Sequence, residues 1–388
     1  MIQYKKIILK ANKEASLERY HSWVFSGAID LYDDTIIDGE VVEVFSSKNE
    51  SLGVGHFSSA GSISVRMLAF KNQSIDADFY LQKFKDSIRL RKQIISIDTD
   101  CFRLIHGEGD GLPGLIIDVY FKHIVVQAHS LGMHLQRELI KDALIQCFPE
   151  VKTIFYKSET TLHAAKVTNE WLLGSESETL VKEHNVPFTV NWAEGQKTGF
   201  FLDQRDNRKL LGSLSKGKSV LNTFCYTGGF SSYAIEGGAS HVVSIDISQK
   251  AIDMTEKNIA LLKSKAKHSA ICGDIFEYLK TAEEVFDIVV LDPPAFAKNL
   301  SAKHNAVQAY KRLNIAGMKK VKPGGFLFTF SCSQVIDKDL FAKTVYSAAI
   351  ESKRNIRILK NLEQGGDHPV NIFHPEGQYL KGLLLFID

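Results

Sequence analysis

The chain has 388 residues, 44% of them hydrophobic and 24% charged, with a formal net charge of +2. That length is too great for one core and calls for two or three domains, and the balance is that of a globular protein rather than a disordered or membrane-embedded one. A net charge near zero excludes binding a polyanion through the whole surface, so any nucleic-acid partner must meet local basic patches.

No apolar run reaches the length of a bilayer span, and Met1 to Lys10 reads as a first strand rather than a cleavable signal, so a cytoplasmic location is expected. Cys101, Cys147, Cys225, Cys272 and Cys332 are odd in number, widely spaced and lack a Cys-x-x-Cys pair. This argues against a disulfide framework or a zinc site, and no metal is expected.

Residues 1–72 read as short strands separated by Gly and Ser: Tyr4–Leu9, Val41–Phe45, Gly53–Phe57 and Ile63–Leu68, with a helix over Ser16–Trp23. The pattern is a small β-barrel, an architecture that often binds RNA. Tyr20-His-Ser-Trp-Val-Phe-Ser-Gly-Ala28, Gly39–Val44, Gly53-Val-Gly55 and Ile63–Met67 make this segment resemble a PUA domain, with Ser22 where that pattern often has proline. His21 and Trp23 can equally be packed against the barrel.

Residues 73–185 read as a central α+β domain. A helical stretch from Asp76 carries Lys83, Lys85, Arg89, Arg91 and Lys92 against a single Asp86, either a solvated face or a grip on phosphates. Glycines 107, 109, 111 and 114 do not form a phosphate loop, because no Lys-Ser/Thr follows and the turn opens a strand. Strand 124–128, helix 135–148 and strand 153–156 follow, and polar 175–185 reads as a connector. Residues 186–203 read as a hairpin turning near Glu194-Gly195 and feeding a helix at Gln204.

From Lys218 the pattern alternates strand and helix, as in a doubly wound α/β sheet. The strands are 219–224, 241–245, 268–272, 286–291 and 326–330, the helices 230–237, 249–263, 305–320 and 338–350, and two further strands near 356–362 and 379–386 close one edge. The turn Cys225-Tyr-Thr-Gly-Gly-Phe230 places Gly228 and Gly229 where backbone approaches a ligand, and Asp246 ends the next strand where a carboxylate accepts ribose hydroxyls. The turn lacks the G-x-G-x-x-G spacing suited to a pyrophosphate, which disfavours NAD and favours S-adenosylmethionine. The expected cofactor lining is Phe224, Tyr226, Gly228, Gly229, Asp246, Ile247, Asp274, Ile275, Asp292, Pro293 and Gln204.

The fourth strand ends in Asp292-Pro-Pro-Ala-Phe296, a rigid lip with free carbonyls suited to a base's amino group. Pro293, Pro294 and Phe296 are candidate substrate contacts, with Phe296 stacking on an extruded base. Lys197 and Arg205 are further candidates for RNA. The fifth strand ends in Ser331-Cys-Ser333 at the edge where such sheets bind ligands, which makes Cys332 a candidate nucleophile.

Together these features resemble a Class I S-adenosylmethionine-dependent methyltransferase occupying 186–388. The whole chain resembles the bacterial 23S rRNA cytosine-5 methyltransferase family of the RlmI type, through Asp110–Leu115, Gly195–Asp206, Tyr226–Phe230, Thr329–Ser333, Asp367–Val370 and Pro375–Gly382. Ala295 departs from the lysine common in that family after Asp-Pro-Pro. The resemblance implies that Cys332 adds to carbon 6 of a cytosine while Asp292 holds the ring, with 23S rRNA as partner; whether the chain is a monomer or homodimer stays open. Methylation of another base position, for example a guanine nitrogen, and a non-catalytic RNA-binding assembly factor are the alternatives.

Overall fold

The computed structural model describes residues 3–162, 165–297 and 299–388, so Met1 and Ile2 of the first predicted strand lie outside the described residues. It divides into two compact units. The amino-terminal unit comprises Met1–Val181, Val190–Phe200 and Gly366–Gln378; the second comprises Lys182–Thr189, Phe201–Gly365 and Tyr379–Asp388.

In the amino-terminal unit, β1 (Lys5–Leu9), β2 (Trp23–Phe25), β3 (Ile29–Tyr32), β4 (Val41–Phe45), β5 (Ser51–Phe57) and β6 (Ile63–Ala69) form a sheet in the order β2-β6-β5-β4-β1-β3, curled like a half-barrel. Alternate residues Ile7 and Leu9, Val42 and Val44, and Val65 and Met67 turn inward, the period-two pattern of strands with one buried face. Gly53 is required for a close approach: its φ is +131° and a Cβ there would lie 2.1 Å from the Ala69 carbonyl oxygen. The helix predicted over Ser16–Trp23 is only α1 (Ala15–Glu18), because Tyr20 adopts a left-handed φ of +61° and Trp23 enters β2 to pair with Arg66.

A second sheet follows, in the order β11-β10-β9-β8-β7, from β7 (Cys101–His106), β8 (Leu115–Tyr120), β9 (His123–Ala128), β10 (Thr153–Tyr156) and β11 (Glu170–Leu173). It carries α2 (Ala77–Ile94), α3 (Leu131–Leu135) and α4 (Arg137–Cys147). The basic run on α2 is divided by its own helix: Lys85, Arg89 and Lys92 are exposed, whereas Arg91 is 1% exposed and forks onto Asp110 at 2.5 and 2.7 Å. The glycine turn before β8 opens a strand, as its sequence predicts.

The predicted hairpin is displaced. β12 (Glu178–Glu183) pairs with β13 (Val186–Asn191), so the turn is His184-Asn185, both at positive φ (49° and 61°), and the segment read as a connector is a strand. Two left-handed central residues match the twist of a hairpin, and Asn is among the few residues that tolerate that region. Residues 194–200 form successive turns instead.

The second unit is the doubly wound sheet. After α5 (Arg205–Leu214) come β14 (Ser219–Thr223), α6 (Gly229–Glu236), β15 (His241–Asp246), α7 (Gln249–Ala260), β16 (Lys267–Cys272), α8 (Ile275–Thr281), β17 (Phe286–Leu291), α9 (Lys303–Lys320), β18 (Val321–Ser331), α10 (Lys338–Ser352), β19 (Ile356–Leu362) and β20 (Lys381–Ile387). The order is β16-β15-β14-β17-β18-β20-β19, parallel except where β20 pairs antiparallel with β18 and β19. Ile288 to Leu291 are wholly buried, the continuous apolar run of a strand covered on both faces. The strand order reverses between β14 and β17, where such sheets open a ligand crevice beyond their carboxyl ends.

Candidate active site

Thr223 pairs with Ile245 on one side and with Leu291 on the other, so Phe224, Asp246 and Asp292 leave the sheet along one edge. The turn after β14 is strained. Phe224 and Tyr226 adopt φ of +54° and +50°, a region that costs a non-glycine residue free energy unless its surroundings hold it. Four hydrogen bonds do so: Cys225 N–H to the Ile245 carbonyl (3.1 Å), Tyr226 N–H to Asp246 Oδ2 (3.0 Å), Thr255 Oγ1–H to the Tyr226 carbonyl (2.9 Å) and Asn258 Nδ2–H to the Thr227 carbonyl (2.9 Å). Gly228 has φ +77°, and a Cβ there would stand 2.8 Å from Thr255 Cγ2.

Asp246 accepts the Tyr226 N–H on one oxygen and the Ser248 N–H (2.9 Å) on the other, which fixes the carboxylate and leaves each oxygen a second lone pair. Ile247 beside it is 70% exposed. Asp274 is exposed and caps α8 by accepting the Glu277 N–H at 2.8 Å, whereas Ile275 is 4% exposed and packs in the core, so its side chain is not available to line a ligand. A fixed carboxylate, an exposed aliphatic side chain and a backbone turn without a phosphate pattern suit a nucleoside joined to an amino acid. This is the shape of S-adenosylmethionine.

Gln204 is 3% exposed and donates Nε2–H to Asp292 Oδ2 at 3.1 Å. Its own oxygen accepts from Asn207 Nδ2 (2.7 Å), which also donates to the Glu363 carbonyl at 3.1 Å. Gln204 therefore positions Asp292, with Asn207 fixing the amide. Pro293 is buried and Pro294 exposed, so the second proline forms the lip. The Phe296 ring is half-buried, 4.7 Å from the Tyr310 ring, and leans on the core with one part left accessible.

Leu291 pairs with Thr329, which puts Asp292 level with Phe330 and Cys332 two residues farther along the same edge. Cys332 is partly exposed between buried Ser331 and Ser333. Ser333 Oγ–H donates to the Ala297 carbonyl (2.7 Å), tying the thiol's loop to the Asp-Pro-Pro loop. On the other side Lys381, paired with Ser331, donates Nζ–H to the Ser333 carbonyl at 2.7 Å. Burial lowers the Lys381 ammonium to about 8, against the opposing pull of Cys332 and Asp337. Burial also pushes the Tyr310 phenol up to about 12, with the charges of Cys332 and Asp292 acting in the same direction. Lys381 and Tyr310 both feel the thiol. Cys225, by contrast, is buried and pushed up to about 12, which makes it a poor nucleophile.

Of the two cations predicted to contact substrate, one turns inward and the other lies in the amino-terminal unit. Arg205 is 3% exposed with its guanidinium turned onto Glu183 (3.6 Å), so the predicted outward grip on RNA is corrected to an inward ion pair. Lys197 is exposed but belongs to the amino-terminal unit. Asn207, Tyr310 and Lys381 escaped the sequence reading. The one visible signal was Lys381, a lone cation at the start of the apolar run Gly382–Ile387.

The family model of S-adenosylmethionine-dependent methyltransferases matches residues 159–372, and that of PUA-like domains matches residues 7–70. A protein of Aliivibrio fischeri named "Ribosomal RNA large subunit methyltransferase I" is 38% identical over 387 residues, 97% of this chain and 98% of that one. One of the same name from Aeromonas salmonicida is 38% identical over 390 residues, 98% of each. Among solved structures, a putative SAM-dependent methyltransferase from Streptococcus mutans superposes with a TM-score of 0.84 at 24% identity over 98% of this chain and 99% of its own, and a putative methyltransferase complexed with SAH gives 0.85 at the same identity and coverage. With its seven-stranded sheet, its glycine turn and its curled amino-terminal sheet, the chain belongs to the family of S-adenosylmethionine-dependent methyltransferases, carries a PUA-like domain, and shares its family with these relatives over nearly its whole length.

Proposed function

We propose that this protein methylates carbon 5 of a cytosine in large-subunit rRNA, with Cys332 as the nucleophile. The relatives' name supports the RNA class, and the observation that carries the reading is a partly exposed thiol two residues beyond the level of Asp292, on the edge that bears the cofactor turn.

Carbon 5 of cytosine is too weak a nucleophile to take a methyl group unaided. Addition of the Cys332 thiolate to carbon 6 moves the ring's electron pair toward carbon 5 and the ring nitrogen, while Asp292, held by Gln204, accepts from the amino group and, carrying a proton, donates it to that nitrogen, where the added charge collects. Bound S-adenosylmethionine supplies an electrophilic methyl group on its sulfonium. Once the methyl is in place, loss of the carbon-5 proton to a base lets the carbon–sulfur bond break and restores the thiolate. Lys381 favours the thiolate form by its charge, and the Ser333–Ala297 bond keeps the thiol's loop against the base-holding loop. The fixed carboxylate of Asp246 and the exposed face of Ile247 would hold the cofactor's ribose and adenine.

The test is tritium release from large-subunit rRNA labelled at cytidine carbon 5, given S-adenosylmethionine, with native protein and Cys332→Ala. Release that requires the thiol supports the covalent route. Methyl transfer without release would sink the cytosine mechanism and leave another base position as the target.

A further inference from the structure

The amino-terminal unit gathers His21, His374 and Glu376, whose ligand atoms all lie within 4.8 Å of one another. We propose that these three side chains form a binding site for a divalent transition-metal ion of the zinc type. Two imidazole nitrogens and one carboxylate make a donor set that suits zinc, with a fourth position left for water.

The separations are those of ligands around a common centre rather than of a finished hydrogen-bond network. His21 Nε2 meets Glu376 Oε1 in a long hydrogen bond of 3.4 Å, and His374 Nδ1 is 3.7 Å from Glu376 Oε2, beyond hydrogen-bond range. His374 is 2% exposed and its Nδ1 has no hydrogen-bond partner. A buried polar atom left in that state asks for an explanation, and an ion is one.

The surroundings orient both rings. His21 Nδ1 lies 3.2 Å from the Trp23 nitrogen and 3.4 Å from the Trp23 carbonyl oxygen, so either tautomer can be held. A metal on Nε2 selects the one whose Nδ1–H is donated to the carbonyl, the usual support of a ligating histidine. The Trp23 ring packs edge-on against His374, centroids 4.4 Å apart, and its Nε1–H is donated to Glu108 Oε1 at 2.8 Å, which brings a second carboxylate toward the cluster. Two carboxylates beside two imidazoles make a donor set for a cation. The spacing of the cysteines argued against a metal, but none of these ligands is a cysteine, and Glu376 stands 355 positions from His21. The ion would clip the Gly366–Gln378 segment to the residues leading into β2.

The test uses the full chain, stripped with a chelator and titrated with zinc chloride by calorimetry and with cobalt(II) chloride by absorption. The expected result is uptake of one equivalent, cobalt ligand-field bands without thiolate-to-metal charge transfer, and a rise in melting temperature with zinc. Glu376→Gln, a change at an exposed carboxylate, should weaken binding at least about tenfold, and His374→Ala should abolish the site. Should His374→Ala fail to fold, His21→Gln takes its place. No uptake, uptake unchanged in these variants, or a thiolate band in the cobalt spectrum would overturn the proposal.

Discussion

Replacing Glu183 by glutamine keeps its size and removes the carboxylate that faces two buried guanidiniums. Arg208 forks onto it, Nε to Oε1 at 2.8 Å and Nη2 to Oε2 at 2.7 Å, while Arg205 Nε stands 3.6 Å from Oε2. Both side chains of the fork are almost fully buried, 3% and 0% exposed, so water screens little of the attraction. Glutamine retains one acceptor oxygen but turns an amide N–H on a guanidinium N–H, donor against donor. Loss of one charge-assisted hydrogen bond removes about 1.5–3 kcal/mol. Removing the negative charge from beside two buried cations brings the total to about 3–5 kcal/mol. The loss should reach the cofactor turn, because Arg208 also donates to the Phe201 carbonyl (2.8 Å) and its Cδ lies 3.0 Å from where a Gly229 Cβ would be. The assay is native-state hydrogen exchange across α5 and α6, native protein against Glu183→Gln. A loss of protection below about 1 kcal/mol, the worth of an exposed pair, would refute the reasoning.

Three other outcomes are expected. Gly228→Ala, which forces a left-handed φ on an L side chain and drives its Cβ against Thr255, should weaken S-adenosylmethionine binding at least about tenfold by calorimetry, since about 1–2 kcal/mol of backbone strain is added before the clash. Burial holds His56 at about 4, below its unfolded value, with nearby Arg66 adding to the effect; the unfolded chain therefore binds the proton first, and stability present above pH 6.5 drains as the pH falls toward 4. Unfolding free energies from urea titrations of the native protein should fall on the order of 3 kcal/mol more over that window than those of His56→Leu, and equal slopes would contradict this. Finally, Lys381→Met should move the pH midpoint of Cys332 alkylation by iodoacetamide upward, because the ammonium that favours the thiolate is gone; an unmoved midpoint would separate Lys381 from the thiol.

The catalytic half was legible because its strands advertise themselves. Runs such as Ile288–Leu291, buried on both faces, have no polar face to confuse the period, and each ends where a small or charged residue begins the next turn. The hairpin was misplaced because its true turn, His184-Asn185, contains no glycine, whereas Glu194-Gly195 offered one that the fold does not use for a hairpin. α1 was overextended because Tyr20 gives no sign in sequence that it will adopt a left-handed conformation. At the candidate site, the placement of Asp246, Asp292 and Cys332 at strand ends was readable from the apolar runs that precede them. The contacts that orient them were not: Gln204 was expected against the cofactor rather than on Asp292, and Asn207 and Lys381 were not expected at all, because the three act through contacts 88, 156 and 48 positions distant, which no local pattern encodes. Arg205 and Arg91 show the converse error, since a cation's charge is visible in sequence and its buried acidic partner is not.

The segment Gly366–Gln378 departs from the second unit between β19 and β20 and completes the first. Buried Arg91 donates to the Asp367 carbonyl at 2.9 Å, and the Arg103 N–H to the Asp367 carboxylate at 2.9 Å, 264 positions away. On the ribosome, the amino-terminal unit must wait for nearly the whole chain to be made before these groups find their partner. Until then an arginine destined for the interior lacks part of its bonding, so this unit cannot close in order of synthesis. A nascent chain halted before Gly366 should be held in a looser, protease-sensitive form, and cutting the protein into its two halves by truncation would deprive the first of a piece that only the last part of the chain supplies.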